Sequence, residues 1–230
     1  MNNLLTAKIF RIIELVAASP RPVSLKSLRE QSGISGAVVS RIVADMVELG
    51  ILEKSGYHEV VPSLGIMRLN LAAESSIPLI RKLRPILTNR LPSLGVCGSV
   101  FVMYKGAPLR VFDLRGEREF NSDDDFRQAA FYAAVFSLPQ PPDDIPVSDM
   151  EERFSGYDFS GMVAAFRRDG FLIHQSGSGS WEVYAPFLWY GGAGTLIFYG
   201  NGLRSRQELM LTAGECRRLS GRLSTLLGSL

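Results

Sequence analysis

The stretch GISGAVVSRIVADMVELGILEKSGYHEVV, residues 33–61, decides how this chain is read. Gly33 makes a tight turn, and Ser35 then caps a helix that Gly50 terminates. Val38, Ile42, Met46 and Leu49 recur along one side of that helix. Gly36, Ala37, Ser40, Arg41 and Ala44 fall on the other. Two short strands are expected next, Ile51–Lys54 and Tyr57–Val61, with Ser55-Gly56 as a two-residue hairpin loop. Upstream, Ile9, Ile12, Ile13 and Val16 follow helical spacing, so residues 4–18 read as an amphipathic helix that Pro20 and Pro22 stop. Ser24 caps a short second helix with Leu25 and Leu28 inward and Lys26 and Arg29 outward. Three helices and a hairpin in sixty residues make a winged helix-turn-helix.

The outward side of the third helix suits a major groove: it has no bulk, one hydroxyl and one arginine able to reach a guanine or a phosphate. The hairpin tip can lie along the DNA backbone or in the minor groove. The candidate DNA contacts are therefore Arg21, Arg29, Ser35, Gly36, Ala37, Ser40, Arg41, Lys54, Tyr57 and His58. Asp45 and Glu48 come late, at the end of the helix that tilts away from the duplex. Charge is distributed in keeping with this reading. Residues 1–91 carry 12 Lys/Arg against 7 Asp/Glu, and residues 92–230 carry 13 against 16, which suggests that a polyanion is met by the first part only. A winged helix that contacts protein is the competing reading.

Composition excludes several other classes. The 230 residues are 46% hydrophobic and 21% charged, enough for a real core. Charges interrupt every apolar run before 18 residues, so no transmembrane helix is expected, and mean hydropathy is only +0.11. The opening MNNLLTAKIFRIIE turns charged too soon for a secretory signal. Two cysteines, Cys97 and Cys216, make neither a disulfide framework nor a zinc site, which points to a reduced, cytoplasmic compartment.

At this point the segment resembles the helix-turn-helix of IclR-type bacterial transcriptional regulators. Gly33, Ile34, Val39, Arg41, Ile42, Val43, Met46, Val47, Glu48, Leu49 and Gly50 fit that family's pattern identically or conservatively, and Leu64-Gly65 matches the start of its linker helix. Ser35, Gly36 and Ala37 stand where the family often has Pro, Lys and Ser. The resemblance implies a reader domain (1–62), a linker helix partly used in dimerisation (63–91) and a GAF-like effector-binding and oligomerisation domain (92–230).

The residues after 62 read compatibly. Residues 63–91 form one or two helices broken near Ser76–Pro78, with Arg81, Lys82, Arg84 and Arg90 making the second half basic. VCGSVFVMY is a strand, Lys105–Pro108 a turn and LRVFD its return. A helix over Asp123–Leu138 has Ser122 as a plausible cap, and PQPPDDIP (139–146) is a surface loop. A helix from Phe159 to Asp169 ends at Gly170. Strands are expected around 170–175, 181–188 and 194–200. Ser205 and Glu208 make a capping box for a last helix with Leu209, Ala213, Cys216, Leu219 and Leu223 inward. The fold class is α+β, an antiparallel sheet flanked by helices beside a winged helix.

No catalytic constellation emerges. His58 and His174 lie far apart, the glycines at 191–194 lack a following helix and so form no phosphate cradle, and Asp123–Asp125 read as acids favoured by a helix dipole rather than as a cation site. No enzyme activity, cofactor or metal is expected. An effector pocket is, because the C-terminal part holds both tryptophans and most aromatics, and ligand sites are aromatic-lined with few polar anchors. Candidate effector contacts are Phe101, Tyr132, His174, Trp181, Glu182, Tyr184, Trp189, Ile197 and Tyr199. The resemblance places His174 or Gln175, Glu182, Ile197 and Tyr199 where relatives that sense small carboxylates hold their anchors. The family's His-Ala-Thr-Ala-x-Gly-Lys helix is replaced by RQAAFYAAVFS. A glutamate in the pocket would repel a carboxylate and needs a hydrogen-bond donor or a cation. The expected ligand is therefore neutral or amine-bearing, with an aromatic or apolar body. The expected partners are double-stranded operator DNA, a small-molecule effector and further copies of the chain in a homodimer or homotetramer, since one reader covers one half-site. A C-terminal domain that only oligomerises, and an enzyme with an accessory winged helix, are the rival readings.

Overall fold

The computed structural model describes residues 5–114, 124–139, 146–176, 179–202 and 204–228. It divides into two compact units, Met1–Ile77 and Pro78–Leu230. The division falls inside the segment expected to link the domains.

In the first unit α1 (Leu5–Ala17), α2 (Leu25–Ser32) and α3 (Gly36–Glu48) pack on a small antiparallel sheet. Its strands β1 (Val23–Ser24), β2 (Leu52–Gly56) and β3 (Glu59–Pro62) run in the order β1-β3-β2. Ile12, Val16, Leu28, Val39, Ile42, Leu52 and Val60 are buried together in its core. Ser24 caps α2 by accepting from the Ser27 amide, and Gly33 ends it in the left-handed region. Ser35 occupies the N-cap of α3 without a side-chain hydrogen bond, so the expected cap is one of position only. On α3, Val39 and Val43 complete the buried side with Ile42 and Met46, while Leu49 is 66% exposed at the C-cap. The expected inward role of Leu49 is thus corrected: helical phase carries that last residue off the core.

The end of α3 is fixed by backbone. Gly50, at φ 70°, donates to the Val47 carbonyl, and Ile51 donates to Met46, the two bonds of a Schellman motif. The Gly50 carbonyl then accepts from the amide of Gly65 at 3.1 Å, so the first helical turn of α4 (Gly65–Ser76) rests against the end of α3.

The hairpin loop differs from expectation. The two-residue connection is Tyr57-His58, with His58 at φ 59°, and Ser55-Gly56 is taken up in an irregularity of β2. A loop at Ser55-Gly56 would have placed Leu52 and Val60 on opposite faces, whereas the observed pairing Leu52↔Pro62 and Lys54↔Val60 keeps both in the core. The short strand β1, absent from the sequence reading, pairs with β3.

The second unit is built on five antiparallel strands in the order β5-β4-β8-β7-β6. They are β4 (Cys97–Tyr104), β5 (Ala107–Leu114), β6 (Leu172–Gln175), β7 (Ser180–Trp189) and β8 (Gly192–Asn201). The β4–β5 turn is narrower than the expected four residues, because Lys105 and Gly106 both take positive φ, 50° and 77°, as a tight hairpin turn of the primed kind requires. One face of the sheet is covered by α5 (Pro78–Ser93) and α9 (Arg206–Leu227). Leu79, Leu83, Leu87 and Leu91, four residues apart on α5, bury against Val100, Val183 and Phe198. Ser205 and Glu208 form the expected capping box of α9, and its five expected inward residues are all buried.

The other face is covered by α6 (Asp124–Phe136), α7 (Val147–Arg153) and α8 (Phe159–Asp169). The expected helix start at Asp123, its cap Ser122 and most of the PQPPDDIP loop lie outside the described residues. The helix α7 was not expected from the sequence; its single buried residue is Met150.

Gly65 is tightly constrained by main chain, since a Cβ there would sit 2.0 Å from the Gly50 oxygen. Gly65→Ala should lower unfolding stability by about 1–3 kcal/mol in urea titration, because a main chain must move. Gly36→Ala, whose Cβ would meet nothing nearer than Arg29 Cδ at 3.6 Å, should be neutral or stabilising by about 0.5–1 kcal/mol. Equal losses at the two sites would contradict this account of the Gly50–Gly65 contact.

Candidate nucleic-acid interface and effector face

The N-terminal half of α3 is open. Ser35, Gly36, Ala37, Ser40, Arg41 and Ala44 are all exposed, and Arg41 makes no ion pair among the described residues. The side chain of Arg29 lies beside Gly36, its Cδ 3.6 Å from where a Cβ would stand, and its 3.8 Å contact with Glu30 is an exposed pair of little worth. The wing is tied to the rest of the unit: β3 pairs with β1, and the Leu25 amide donates to the His58 carbonyl at 2.9 Å. At its tip Tyr57 is 90% exposed, with its ring edge-on to His58 at 4.0 Å. Lys54 is exposed on β2, and Arg21 is exposed beside Ser19, whose hydroxyl donates to the Arg21 carbonyl. The expected DNA contacts are thus all solvent-facing on one unit.

In the second unit, alternation along the strands sorts the expected effector contacts into two groups. Trp181 and Trp189 pack on the face covered by α5 and α9. The Arg204 guanidinium lies 4.4 Å over the Trp181 ring, and Trp189 Nε1 donates to the Ala193 carbonyl at 3.2 Å. Glu182, Tyr184, Ile197 and Tyr199 point to the opposite face, with Phe101, Tyr132 and His174. Successive residues of a strand face opposite sides, so Trp181 and Glu182 cannot line one pocket. The two tryptophans are parts of the α5/α9 core.

The seven that remain together surround a buried polar network. Glu182 is 3% exposed. Its Oε1 accepts from Arg127 Nε at 3.0 Å and from Nη2, and its Oε2 accepts from the Tyr184 hydroxyl. Arg127, in the first turns of α6, also lies 5.7 Å over the Tyr199 ring. The Tyr199 hydroxyl donates to Asp113 Oδ1 at 2.9 Å, and Ser99 Oγ donates to the same oxygen at 2.7 Å. His174 stacks on Phe126 at 3.7 Å and stands opposite Glu182 in the β6–β7 register. The Thr195 hydroxyl is fully buried on this face with no hydrogen-bond partner among the described residues.

The electrostatics follow from that packing. Burial works against the charge of Arg127, but the Glu182 carboxylate outweighs it and holds the guanidinium above its usual value. Burial, reinforced by Glu182, raises Tyr184 well above the ordinary phenol range. Burial also pushes Tyr199 up to about 12, with Asp113 adding to the rise. Both phenols are therefore neutral hydrogen-bond donors at physiological pH. The donor and cation that a buried Glu182 needs are supplied within the chain, which removes the reason for expecting an amine on the ligand. Sequence reasoning missed Arg127, Asp113, Ser99 and Thr195. Arg127 sits 55 residues from its partner, and nothing local announces a contact of that range. Cys216 is wholly buried, and that burial raises its thiol, as expected of a cysteine packed as a small hydrophobe. No group of three or more metal-ligating side chains gathers among the described residues.

Residues 6–56 match the IclR helix-turn-helix domain. No curated protein matches the chain, but solved structures do. A putative IclR transcriptional regulator from a Silicibacter species is 17% identical over 98% of this chain and 96% of its own, with a TM-score of 0.70. An IclR-family regulator from Brucella abortus is 13% identical over 97% and 92%, also at 0.70. An IclR homologue from Microbacterium hydrocarbonoxydans, solved in complex with 4-hydroxybenzoate, is 13% identical over 99% and 100%, at 0.71. The N-terminal segment is thus an IclR helix-turn-helix domain, and the chain as a whole has the fold of IclR-type transcriptional regulators.

Removing one partner of the buried pair should be costly. Arg127→Ala should destabilise the second unit by about 3–5 kcal/mol in urea unfolding, because Glu182 is left buried and unpaired. A double change of Arg127→Met and Glu182→Leu should recover most of that loss. An Arg127→Ala protein as stable as the parent would show that the pair is not closed in solution.

Proposed function

We propose that this chain, which carries an IclR helix-turn-helix domain on an IclR-type fold, is a cytoplasmic transcriptional regulator that reads operator DNA with α3 and the wing. In this reading Ser40 and Arg41 meet base edges, while Arg21, Arg29 and Lys54 hold phosphates with the wing tip of Tyr57 and His58. The observation that carries it is the open side of α3: six outward positions between Ser35 and Ala44, small or basic, on a helix whose other side is locked in the core. Nothing in the described site gathers a nucleophile, a base and an oxyanion donor, and the reading is of a binding protein.

The chain acts as a homodimer or homotetramer. Supporting this, α4 buries none of its residues and exposes Met67, Leu69 and Leu71, with Leu64 just before it and Leu5 and Phe10 exposed on α1. A lone helix of 12 residues with that much apolar surface is marginal in water, and a second copy is the covering that suits a palindromic operator. The effector is a small molecule with an aromatic or apolar body that enters the α6-covered face of the sheet. Phe101, Phe131 and Tyr132 supply apolar walls there, and the Thr195 hydroxyl and the Glu182–Arg127 and Tyr199–Asp113 pairs supply polar anchors. That a similarly folded regulator holds 4-hydroxybenzoate supports this ligand class.

Two measurements test the two halves. Arg41→Ala should weaken binding to a duplex spanning the chain's own promoter region by about 1–3 kcal/mol at fixed salt; unchanged affinity in a folded variant would remove Arg41 from the interface. In a thermal-shift screen of aromatic acids, amides and phenols, 4-hydroxybenzoate included, at least one compound should stabilise the second unit, by about 2.7 kcal/mol at a hundredfold excess over Kd. A screen in which only small aliphatic dicarboxylates stabilise would overturn the aromatic class, and one with no stabilising compound would favour a domain that only oligomerises.

A further inference from the structure

The positive charge that the sequence assigns to the N-terminal third sits elsewhere in the fold. Residues 1–77, the whole reader unit, carry eight Lys/Arg against seven Asp/Glu and are nearly neutral. The surplus over residues 1–91 comes from Arg81, Lys82, Arg84 and Arg90, and all four lie on α5, in the second unit. Together α5 and α9 hold eight basic residues and two acids, Glu208 and Glu215. The rest of residues 78–230 holds nine basic and fourteen acidic. The α5/α9 layer is therefore the basic part of the second unit, whereas α7 and α8 together hold three basic residues, Arg153, Arg167 and Arg168, against four acids, Asp149, Glu151, Glu152 and Asp169.

The basic layer is continuous. Lys82 Nζ donates to the Leu226 carbonyl at 3.4 Å, and Arg90 pairs with Glu215 at 3.0 Å, so α5 and α9 run antiparallel side by side. Their apolar stripes share one core against the sheet, which leaves the charged sides outward. Glu208 is engaged in the cap of Ser205 and lies at the far end of α9, and Glu215 is shared between Arg90 and Arg218. Arg81 and Arg222 are exposed and have no carboxylate partner among the described residues. At 1.5 Å per residue, residues 81–90 cover about 14 Å along α5, the axial length over which one DNA strand presents about four phosphates.

We propose that this α5/α9 layer is a second, sequence-independent DNA-contacting surface, which holds phosphates outside the half-site that α3 reads. The proposal rests on the DNA-binding reading of the first unit and adds to it the source of nonspecific affinity. The reader's own candidate phosphate contacts are Arg21, Arg29 and Lys54 on a nearly neutral unit, whereas this layer carries a net surplus of six positive charges, and phosphate contacts supply essentially all nonspecific binding. Seven of the eight basic residues of the layer are arginines, whose planar fork matches phosphate oxygens in pairs. Connectivity favours DNA over an acidic protein: α5 begins at Pro78, directly after the last residue of the reader unit, so a duplex held by that unit is tethered to the layer.

The test uses the full chain and a 40-base-pair duplex of random sequence, with affinity measured by fluorescence anisotropy between 50 and 300 mM KCl. Arg81→Gln with Arg222→Gln should weaken low-salt binding at least tenfold and flatten the slope of log K against log salt by about 0.9 per arginine removed. Lys105→Gln with Arg168→Gln removes the same net charge from other parts of the second unit and should leave the slope nearly unchanged. An unaltered slope in the first variant overturns the proposal, as do equal losses in both variants. So does a change confined to the sedimentation mass, which would assign the layer to contacts between copies. If the unmodified chain does not bind the duplex at all, the DNA-binding reading itself fails; if it binds and Arg81 and Arg222 do not matter, only the second surface fails.

Discussion

Strand alternation in the five-stranded sheet is the constraint on which the second unit depends. Odd and even residues of β7 and β8 must face opposite sides, and the two sides have been given different chemistry. Trp181, Val183, Phe187, Leu196 and Phe198 make an apolar seat for α5 and α9. Glu182, Tyr184, Thr195 and Tyr199 put charge and hydroxyls under α6. A slip of one residue would exchange these sets and bury Glu182 against leucines, at a cost of several kcal/mol. The ion pair with Arg127 therefore does more than neutralise a carboxylate: it locks α6 to one register of the sheet, since in any other register Arg127 would lose its partner.

In the first unit the corresponding constraint is a close approach of main chains. The Gly50 carbonyl accepts from the Gly65 amide at 3.1 Å, a distance open only to a residue without a side chain at 65. That contact joins the start of α4, where the chain returns from the wing, to the Schellman turn that ends α3. The wing is held from its other side by β1 and by the bond from Leu25 to His58. The third helix, the wing and the beginning of α4 are thus parts of one body, on which the candidate DNA contacts are all exposed.

Much of this was legible in the sequence, because the signals concerned are local. The caps at Ser24 and Ser205, the left-handed glycines at 33 and 170 and the stripe of α9 are each specified within a few residues. The IclR-type pattern of residues 33–50 was legible for the same reason, since the left-handed backbone at Gly33 and Gly50 favours glycine at both positions. What escaped notice is non-local or balanced between alternatives. Ser55-Gly56 looks like a turn, but the shared burial of Leu52 and Val60 moved the turn to Tyr57-His58, where a histidine accepts positive φ. Trp181 and Trp189 looked like pocket residues by composition, yet parity set them in the opposite core. Arg127 carried no mark of its partner on β7. The basic count over residues 1–91 was right as arithmetic and misplaced as structure, because the fold divides the chain at Ile77–Pro78.

The central claim is that this chain is a sequence-specific duplex reader working as a symmetric oligomer. Its most direct test is selection of duplexes from a random-sequence pool by the purified full chain, followed by sequencing of the bound fraction. The account predicts enrichment of an inverted repeat whose half-sites lie about 10 base pairs apart, or a multiple of that, as two-fold related recognition helices require. A bound fraction with no enriched sequence, or with a single unrepeated site, would contradict it.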